Sequence, residues 1–243
     1  MQADTNNEAA LDIVPRKIPL FCAPTYRPLD LAKRQIRILH ILPGQRGEPV
    51  PCTLHTASLD DSPSYEALSY SWGDPHICHI IEVDGQQATV TENLYNALRR
   101  LRFVDRTRHI WADALCINQA DTTERTHQVR LMRNIYSSTI EGILWLGEFS
   151  STSDTGANSV SQQTVATAFK LIRSLAEDHH WNSQEHAQSM AREEADALTA
   201  LLNLSWWQRA WTVKKRFSRR KQLCTAEQCN YGYRKSSVRI SCP

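Results

Sequence analysis

The order of apolar patterns between residues 65 and 147 constrains the fold more than any other feature of the chain. Short apolar runs at 65–70, 110–117 and 140–146 have the length and composition of buried strands. The segments between them contain amphipathic helical patterns. Strands that alternate with helices in this way form a layered sheet. The pattern therefore predicts an α/β domain with a central, mostly parallel sheet of about five strands and flanking helices.

A further strand, a loop and a hairpin are predicted around the first of these runs. Residues 36–42 are mostly apolar and β-branched and are followed by Pro43-Gly44, which predicts a strand and then a polar loop up to residue 64. Asp84-Gly85 suits a turn with positive φ, so a β-hairpin insertion is expected over 79–90.

Two amphipathic helices are predicted between the strands. The first is capped by Thr91, and its apolar face consists of Leu94, Ala97, Leu98 and Leu101. The second begins at Asp121, which has the capping-box spacing with Glu124, so the glutamate is expected to reach back to the cap. The apolar stripe of this second helix is expected to consist of Val129, Met132, Ile135 and Tyr136.

Composition shifts divide the chain into segments. Residues 1–34 are polar and proline-containing, which predicts a loose lead-in. The sheet core is expected over 35–148, a mobile Ser/Thr-rich loop over 149–162, and a helical part over 163–213 with helices near 163–178 and 185–203. Residues 206–211 hold three tryptophans, which are expected to pack this part on the sheet, unless Trp206-Trp207 forms an exposed assembly patch.

The charges of the chain are unevenly distributed. It has 28 Lys and Arg side chains and 26 Asp and Glu side chains, a net charge of +2. Residues 214–243 hold nine of the basic side chains and one acid, or +8, so the other residues carry 19 basic and 25 acidic side chains, or −6. This tail is predicted to be disordered. Its basic run at 214–221 is typical of a nuclear-localisation or nucleic-acid patch, or of a solvated end, so nucleic-acid binding is expected only there.

Cysteine usage and hydropathy predict a protein of the cytoplasm or the nucleus without membrane contact. The seven cysteines are scattered and no export signal precedes them, so they are expected to be reduced. No apolar run approaches the roughly 18 residues of a spanning helix. Cys224 and Cys229 lack a second pair, and His76, Cys78 and His79 lack a recognised zinc spacing, so no metal site is expected. Cys116, inside an apolar run, is expected to be a core thiol.

Polar side chains gather at the predicted carboxyl ends of two strands. If the 65–70 and 110–117 strands are parallel neighbours, their ends share one rim, where open α/β sheets bind ligands. The candidate rim or ligand-binding residues are Tyr70, Ser71, Trp72, Asp74, Asp113, Asn118, Gln119, Glu124 and Arg125. Asp113 within an apolar strand would need a partner such as Arg125 or Arg209. The alternative is that these groups only cap helices and satisfy turns.

Several sequence blocks stand in a fixed order along the chain. They read YEALSYSWGD at 65–74, NLYNALRRLR at 93–102, IWADALCINQ at 110–119 and WWQRAW at 206–211. Together they resemble the fungal heterokaryon incompatibility (HET) domain over roughly residues 35–213. This resemblance implies non-self recognition and programmed cell death signalling in filamentous fungi, by self-association of the domain or by binding of protein partners.

The HET family is thought to be distantly related to TIR domains, which implies a flavodoxin-like α/β fold. Tyr70-Ser71 is similar to the end of the first TIR strand. Some TIR domains cleave NAD⁺ at the nicotinamide–ribose bond with a glutamate, so the resemblance also implies an alternative function as an NAD⁺ glycohydrolase. In that case NAD⁺ would be a substrate, and no cofactor is expected.

The chain departs from the HET pattern after residue 213. The family usually has W-x-V-Q-E there, whereas this chain has WTVKK, with Lys215 in the position of the glutamate. An ammonium group repels the positive charge that develops on the ribose in the transition state. The resemblance therefore implies that glycohydrolase activity is impaired here. Glu124 and Glu148 remain as nearby acids, for which a helix cap and a solvated loop are the simpler roles.

Overall fold

The chain forms an α/β fold around one mixed sheet, as the sequence predicts. The computed structural model describes residues 22–149, 160–177 and 192–207, and the backbone of 239–241. The strands, in chain order, are β1 Gln35–Ile41, β2 Pro51–Ser58, β3 Glu66–Tyr70, β4 Cys78–Val83, β5 Gln86–Thr91, β6 Arg108–Trp111, β7 Glu141–Trp145 and β8 Arg239–Ser241. Their order across the sheet is β5-β4-β2-β1-β6-β3-β7-β8.

The pairing of the strands divides the sheet into two halves. On one side, β6, β3, β7 and β8 all run in parallel, and they supply three of the four parallel pairings. On the other side, β1, β2, β4 and β5 include two antiparallel pairings. The halves meet where β1 pairs antiparallel with β6 through only three residue pairs, from Leu39↔Ile110 to Ile41↔Arg108. We call this ladder the seam.

Five α-helices and two short 3-10 turns accompany the sheet in the described residues. The helices are α1 Glu92–Leu101, α2 Asp113–Cys116, α3 Thr122–Ser138, α4 Gln162–Glu177 and α5 Arg192–Leu202, and the turns are Leu31–Lys33 and Leu59–Asp61. None of these helices combines the length and the apolar character that a bilayer span requires. The predicted helical C-terminal part is confirmed by α4 and α5; residues 185–191 of the second predicted helix lie outside the described residues.

The hairpin and the first helix form where the sequence predicts them. β4 and β5 pair antiparallel around Asp84 and Gly85, whose φ values of 51° and 75° fit a turn that needs two left-handed residues. α1 begins directly after β5 and buries the predicted Leu94, Ala97, Leu98 and Leu101. Thr91 has the extended backbone of an N-cap, but its side chain makes no capping hydrogen bond.

Two predicted elements are wrong. The predicted polar loop between residues 43 and 64 contains β2, a strand with little apolar contrast because only Cys52 in it is buried and His55 and Thr56 are exposed. The predicted 110–117 strand is β6 followed by α2. The chain turns at Ala112, whose carbonyl accepts from Cys116 N at 2.8 Å, so an unbroken apolar run folds as strand and helical turn. Because β2, the two hairpin strands and β8 all belong to it, the sheet of the described residues has eight strands rather than about five.

The second predicted helix, α3, differs from expectation in its capping and its apolar stripe. Asp121 Oδ1 accepts hydrogen bonds from Thr123 N and Glu124 N, as an N-cap should. Glu124 does not reach back to the cap, because its carboxylate turns into the protein interior. Val129 is exposed, whereas Gln128 is buried and donates from Nε2 to the carbonyl of Gln35.

A second, smaller apolar cluster attaches the helical C-terminal part to the sheet. It consists of Leu146, Phe149, Val165, Ala168, Ala197, Leu201 and Trp206. Trp206 Nε1 donates to the carbonyl and the hydroxyl of Ser69 in β3, at 3.2 and 3.1 Å. The predicted packing through the tryptophan segment is therefore confirmed for Trp206; residues 208–211 lie outside the described residues. The predicted segment boundaries along the chain stay predictions.

Candidate functional site

β3 and β6 are parallel neighbours, and the residues that follow their carboxyl ends form a rim, although β3 extends three residues beyond the end of β6. Glu66 and Ala67 of β3 pair in parallel with Ile110 and Trp111 of β6. Beyond these ends, Trp72 Nε1 donates a hydrogen bond to Asp113 Oδ1 at 3.1 Å. The partner of Asp113 is therefore this indole; Arg125 bonds elsewhere and Arg209 lies outside the described residues. Asp113 itself begins α2, so the turn after β6 directs it to the rim.

Asn93, in the first turn of α1, forms hydrogen bonds with both Ser71 and Trp145. Its Nδ2 donates to the carbonyl of Ser71 at 2.5 Å and lies 3.3 Å from the Ser71 hydroxyl. Its Oδ1 accepts from Trp145 Nε1 at 2.8 Å, which ties the ends of β3 and β7 to one side chain. The Ser71 hydroxyl also lies 3.0 Å from that of Ser205. The sequence reasoning missed Asn93; its signal was a polar residue in the first turn of a helix that directly follows a strand.

Two tryptophans are exposed on the chain segments that flank this polar centre. Trp72 is 41% exposed and follows Ser71, whereas Trp207 is 40% exposed and stands two residues after Ser205. Trp207 packs edge to face on the buried Trp206, with ring centroids 4.8 Å apart. Both exposed indoles are held by a neighbouring side chain: Trp72 by its hydrogen bond to Asp113, and Trp207 by its ring contact with Trp206. We use "rim" below for Ser71, Trp72, Asn93, Asp113, Ser205 and Trp207.

Two of the predicted rim residues make no contribution to this surface. Tyr70 is buried in the main core. Asp74 is exposed, but its Oδ1 accepts from His76 N at 2.8 Å, which is a local turn contact. For Asp74 the structure therefore shows the turn role that the sequence left as an alternative.

The residues that follow β6 mainly stabilise their own loop. Asn118 Oδ1 accepts from Ala120 N at 3.2 Å. Gln119 Nε2 donates to the carbonyl of Asp113 at 2.9 Å, and its own carbonyl accepts from Arg125 Nη1 at 3.0 Å. These contacts fix the path of the loop from α2 to α3, and through it the position of Asp113.

Glu124 lies beneath this loop in a buried ion pair with Arg37 of β1. The two side chains are only 3% and 6% exposed, and both Arg37 Nη atoms donate to the carboxylate, at 2.6 and 2.9 Å. Glu124 Oε1 also accepts from Asn118 N at 2.7 Å. The pair ties β1 and α3 to the loop, so Glu124 is a positioning residue. Arg37 was missed because its partner lies 87 residues away in the chain.

Burial around the ion pair raises the pKa values of two neighbouring groups. Tyr26 lies under the Arg37 guanidinium, 4.7 Å from ring centroid to Cζ, and burial raises the pKa of its phenol. Burial raises the pKa of the Cys116 thiol to about 12. Cys116 is therefore a core thiol, as predicted, and holds its proton at neutral pH.

No group of three or more His, Cys, Asp or Glu side chains in the described parts of the chain is arranged to hold a metal ion. His79, one of the histidines without zinc spacing, stacks on Tyr95 with ring centroids 4.4 Å apart.

The rim combines exposed indole surface with hydroxyl, amide and carboxylate groups, a composition suited to contact with another protein.

Comparison with known proteins identifies the family to which these blocks belong. Residues 65–214 match the family model described as heterokaryon incompatibility protein (HET). The chain is 31% identical over 214 residues to "Heterokaryon incompatibility protein 6, OR allele" of Neurospora crassa; the match covers 74% of this chain and 31% of that relative. The chain thus spans about a third of the relative. No solved structure matches the chain.

Proposed function

The chain belongs to the heterokaryon incompatibility (HET) family, and we propose on that premise that it acts in non-self recognition and programmed cell death signalling in filamentous fungi. It acts by self-association of the HET domain or by binding of a protein partner, in the cytoplasm or the nucleus. Support comes from the family match over residues 65–214 and from the relative whose name states heterokaryon incompatibility. The rim supplies the contact surface.

The exposed side chain of Trp72 is the main support for a contact with another protein. Large aromatic residues are the commonest energetic anchors of protein interfaces, since they bury much apolar area and lose little side-chain entropy. The 41% of the Trp72 surface that stays exposed contributes no burial free energy to the folded chain and is available to a partner. Its hydrogen bond to Asp113 nevertheless fixes its orientation, which lowers the entropy cost of binding.

Inducible expression of the chain in hyphae tests this proposal. We expect cell death, counted by uptake of a vital dye, and we expect the double substitution of Trp72 and Trp207 by alanine to reduce it at least severalfold. The matched control replaces Val104 and Ile140, which are exposed apolar residues distant from the rim in sequence, by alanine. Thermal unfolding by circular dichroism checks that both variants fold. Full killing by the folded tryptophan variant would exclude the rim, and absence of death on expression of the wild-type chain would refute the function.

No observation on the described residues favours the alternative of an NAD⁺ glycohydrolase. The carboxylate of Glu124 is buried against Arg37 rather than open to a substrate. Glu148 is exposed on the segment after β7, and Lys215 lies outside the described residues. Self-association or binding of a protein partner needs no catalysis by this chain.

A further inference from the structure

We propose that His55, His40 and His109 form an acid-sensitive switch at the seam of the sheet, which weakens the connection between its two halves when the medium is acidified. The three histidines lie on β2, β1 and β6, which are neighbours in the sheet. This inference concerns the stability of the domain and is independent of the function proposed above.

The three imidazole rings form one continuous stack. The centroids of His40 and His55 are 3.8 Å apart with an interplanar angle of 14°, and those of His40 and His109 are 4.1 Å apart at 22°. His40 is half-buried between two exposed outer rings. Neutral imidazoles stack favourably at such distances, whereas two protonated rings in van der Waals contact repel each other.

The charges that act on His40 in the described structure come from the two strands that flank β1. These are His55 on β2 and His109 on β6, and both disfavour a proton on the central ring. Thr53 Oγ1 lies 3.0 Å from His55 Nε2 and contributes no charge. Burial and these two neighbours lower the pKa of His40 from its ordinary 6.5 to about 4.

The sign of the pH effect follows from this lowered pKa. Between pH 6.5 and 4 the unfolded chain binds a proton at His40 that the folded chain does not bind, so acidification favours unfolding. The stabilisation is complete above pH 6.5 and is lost progressively as the pH falls towards 4. The full shift would raise the unfolding equilibrium constant roughly 30-fold between about pH 7.5 and about pH 5. Because His40 is partly accessible to water, we expect about tenfold.

The position of the stack determines which part of the fold responds. His40 pairs directly with His109, and this pair is the middle of the three that join β1 to β6. The β1–β2 ladder, in contrast, has seven residue pairs and can tolerate local strain. Acidification is therefore expected to loosen the seam first.

Proton titration of the histidines by NMR on the full 243-residue chain tests the coupling directly. We expect the His40 resonance to titrate near pH 4 in the wild-type chain. In the double variant His55→Gln/His109→Gln it should move towards 6.5, because both neighbouring charges are removed while the ring of His40 remains. A His40 pKa near 6.5 in the wild-type chain would overturn the proposal, as would a value unchanged by the double substitution.

Urea unfolding at about pH 7.5 and about pH 5 tests the consequence. His40→Gln should lose most of the tenfold acid sensitivity, whereas His76→Gln, which removes an exposed loop histidine, should retain it. Hydrogen exchange locates the effect: amides of β1 and β6 should lose protection at pH 5 before those of β3 and β7. Equal acid sensitivity of the two variants, or uniform loss of protection, would contradict a switch at the seam.

Discussion

Loss of the Glu124 carboxylate should destabilise the fold more than loss of any surface charge. In Glu124→Gln the side chain keeps its size, but the Arg37 guanidinium remains buried without a counter-charge. Removing one member of a buried ion pair typically costs about 3–5 kcal/mol. Arg37 keeps its hydrogen bonds to the carbonyls of Cys116 and Arg27, and glutamine can still accept one, so we expect about 3 kcal/mol. The whole free energy of unfolding of a native domain is about 5–15 kcal/mol, so this loss would be a large fraction of it.

The exposed ion pair between Arg34 and Asp60 offers a matched control. Its distance of 2.6 Å equals the shorter contact of the buried pair, but its side chains are 39% and 56% exposed. Water and salt screen such a pair, so Asp60→Asn should cost less than about 1 kcal/mol. The two pairs share this shortest distance, so the difference between the two substitutions reports burial together with the second Arg37 contact and the Asn118 hydrogen bond that only Glu124 makes.

Urea unfolding followed by tryptophan fluorescence measures both losses. The double variant Arg37→Met/Glu124→Leu should be more stable than Glu124→Gln, because no charge is left unpaired in the interior. The reasoning is refuted if Glu124→Gln costs no more than Asp60→Asn, or if the double variant loses at least the sum of its single substitutions.

Three other experiments test the rim, the buried core and the position of Lys215. Asn93→Ala should cost about 1–3 kcal/mol in urea unfolding, because it leaves Trp145 Nε1 without its acceptor. Cys116 should react with a thiol reagent only as fast as the chain unfolds, since it is buried with a pKa of about 12; peptide mapping after labelling should find the partly exposed Cys22 and Cys78 modified before it. On incubation with NAD⁺ we expect the wild-type chain to release no nicotinamide, because the HET resemblance implies that Lys215 stands where a catalytic glutamate would be, and an ammonium group there would disfavour the cationic transition state. Release by the wild-type chain would show that it is an enzyme, and release only by Lys215→Glu would show a disabled site.

The elements that the sequence predicts well are those whose determinants are local. The Asp84-Gly85 turn and the apolar face of α1 each depend on residues within a single element, and both form as expected. β2 was missed because a half-exposed strand has little apolar contrast. α2 was missed because a buried strand and a buried helical turn present the same apolar run when both faces are covered.

The rim was only partly predictable for a related reason. The parallel contact of β3 with β6 follows from the alternation of strands and helices, so the proximity of Trp72 and Asp113 could be expected. Arg37 could not be found, because its role depends on a partner 87 residues away. Asn93 had a local signal at the start of α1, but its partner Trp145 is 52 residues away. Glu124 shows the same limit: its spacing from Asp121 fits a local cap, and a distant arginine overrides it.

The sheet extends beyond the segment that the family model covers. The match begins at residue 65, whereas β1 and β2 precede it and β8 follows its end at 214. A fragment cut at those limits would leave β6 and β7 with bare outer edges, and unpaired edges recruit strands from other molecules. It would also retain Glu124 without Arg37. Precipitation of such a fragment would reflect where the chain was cut and would say nothing about whether HET domains assemble.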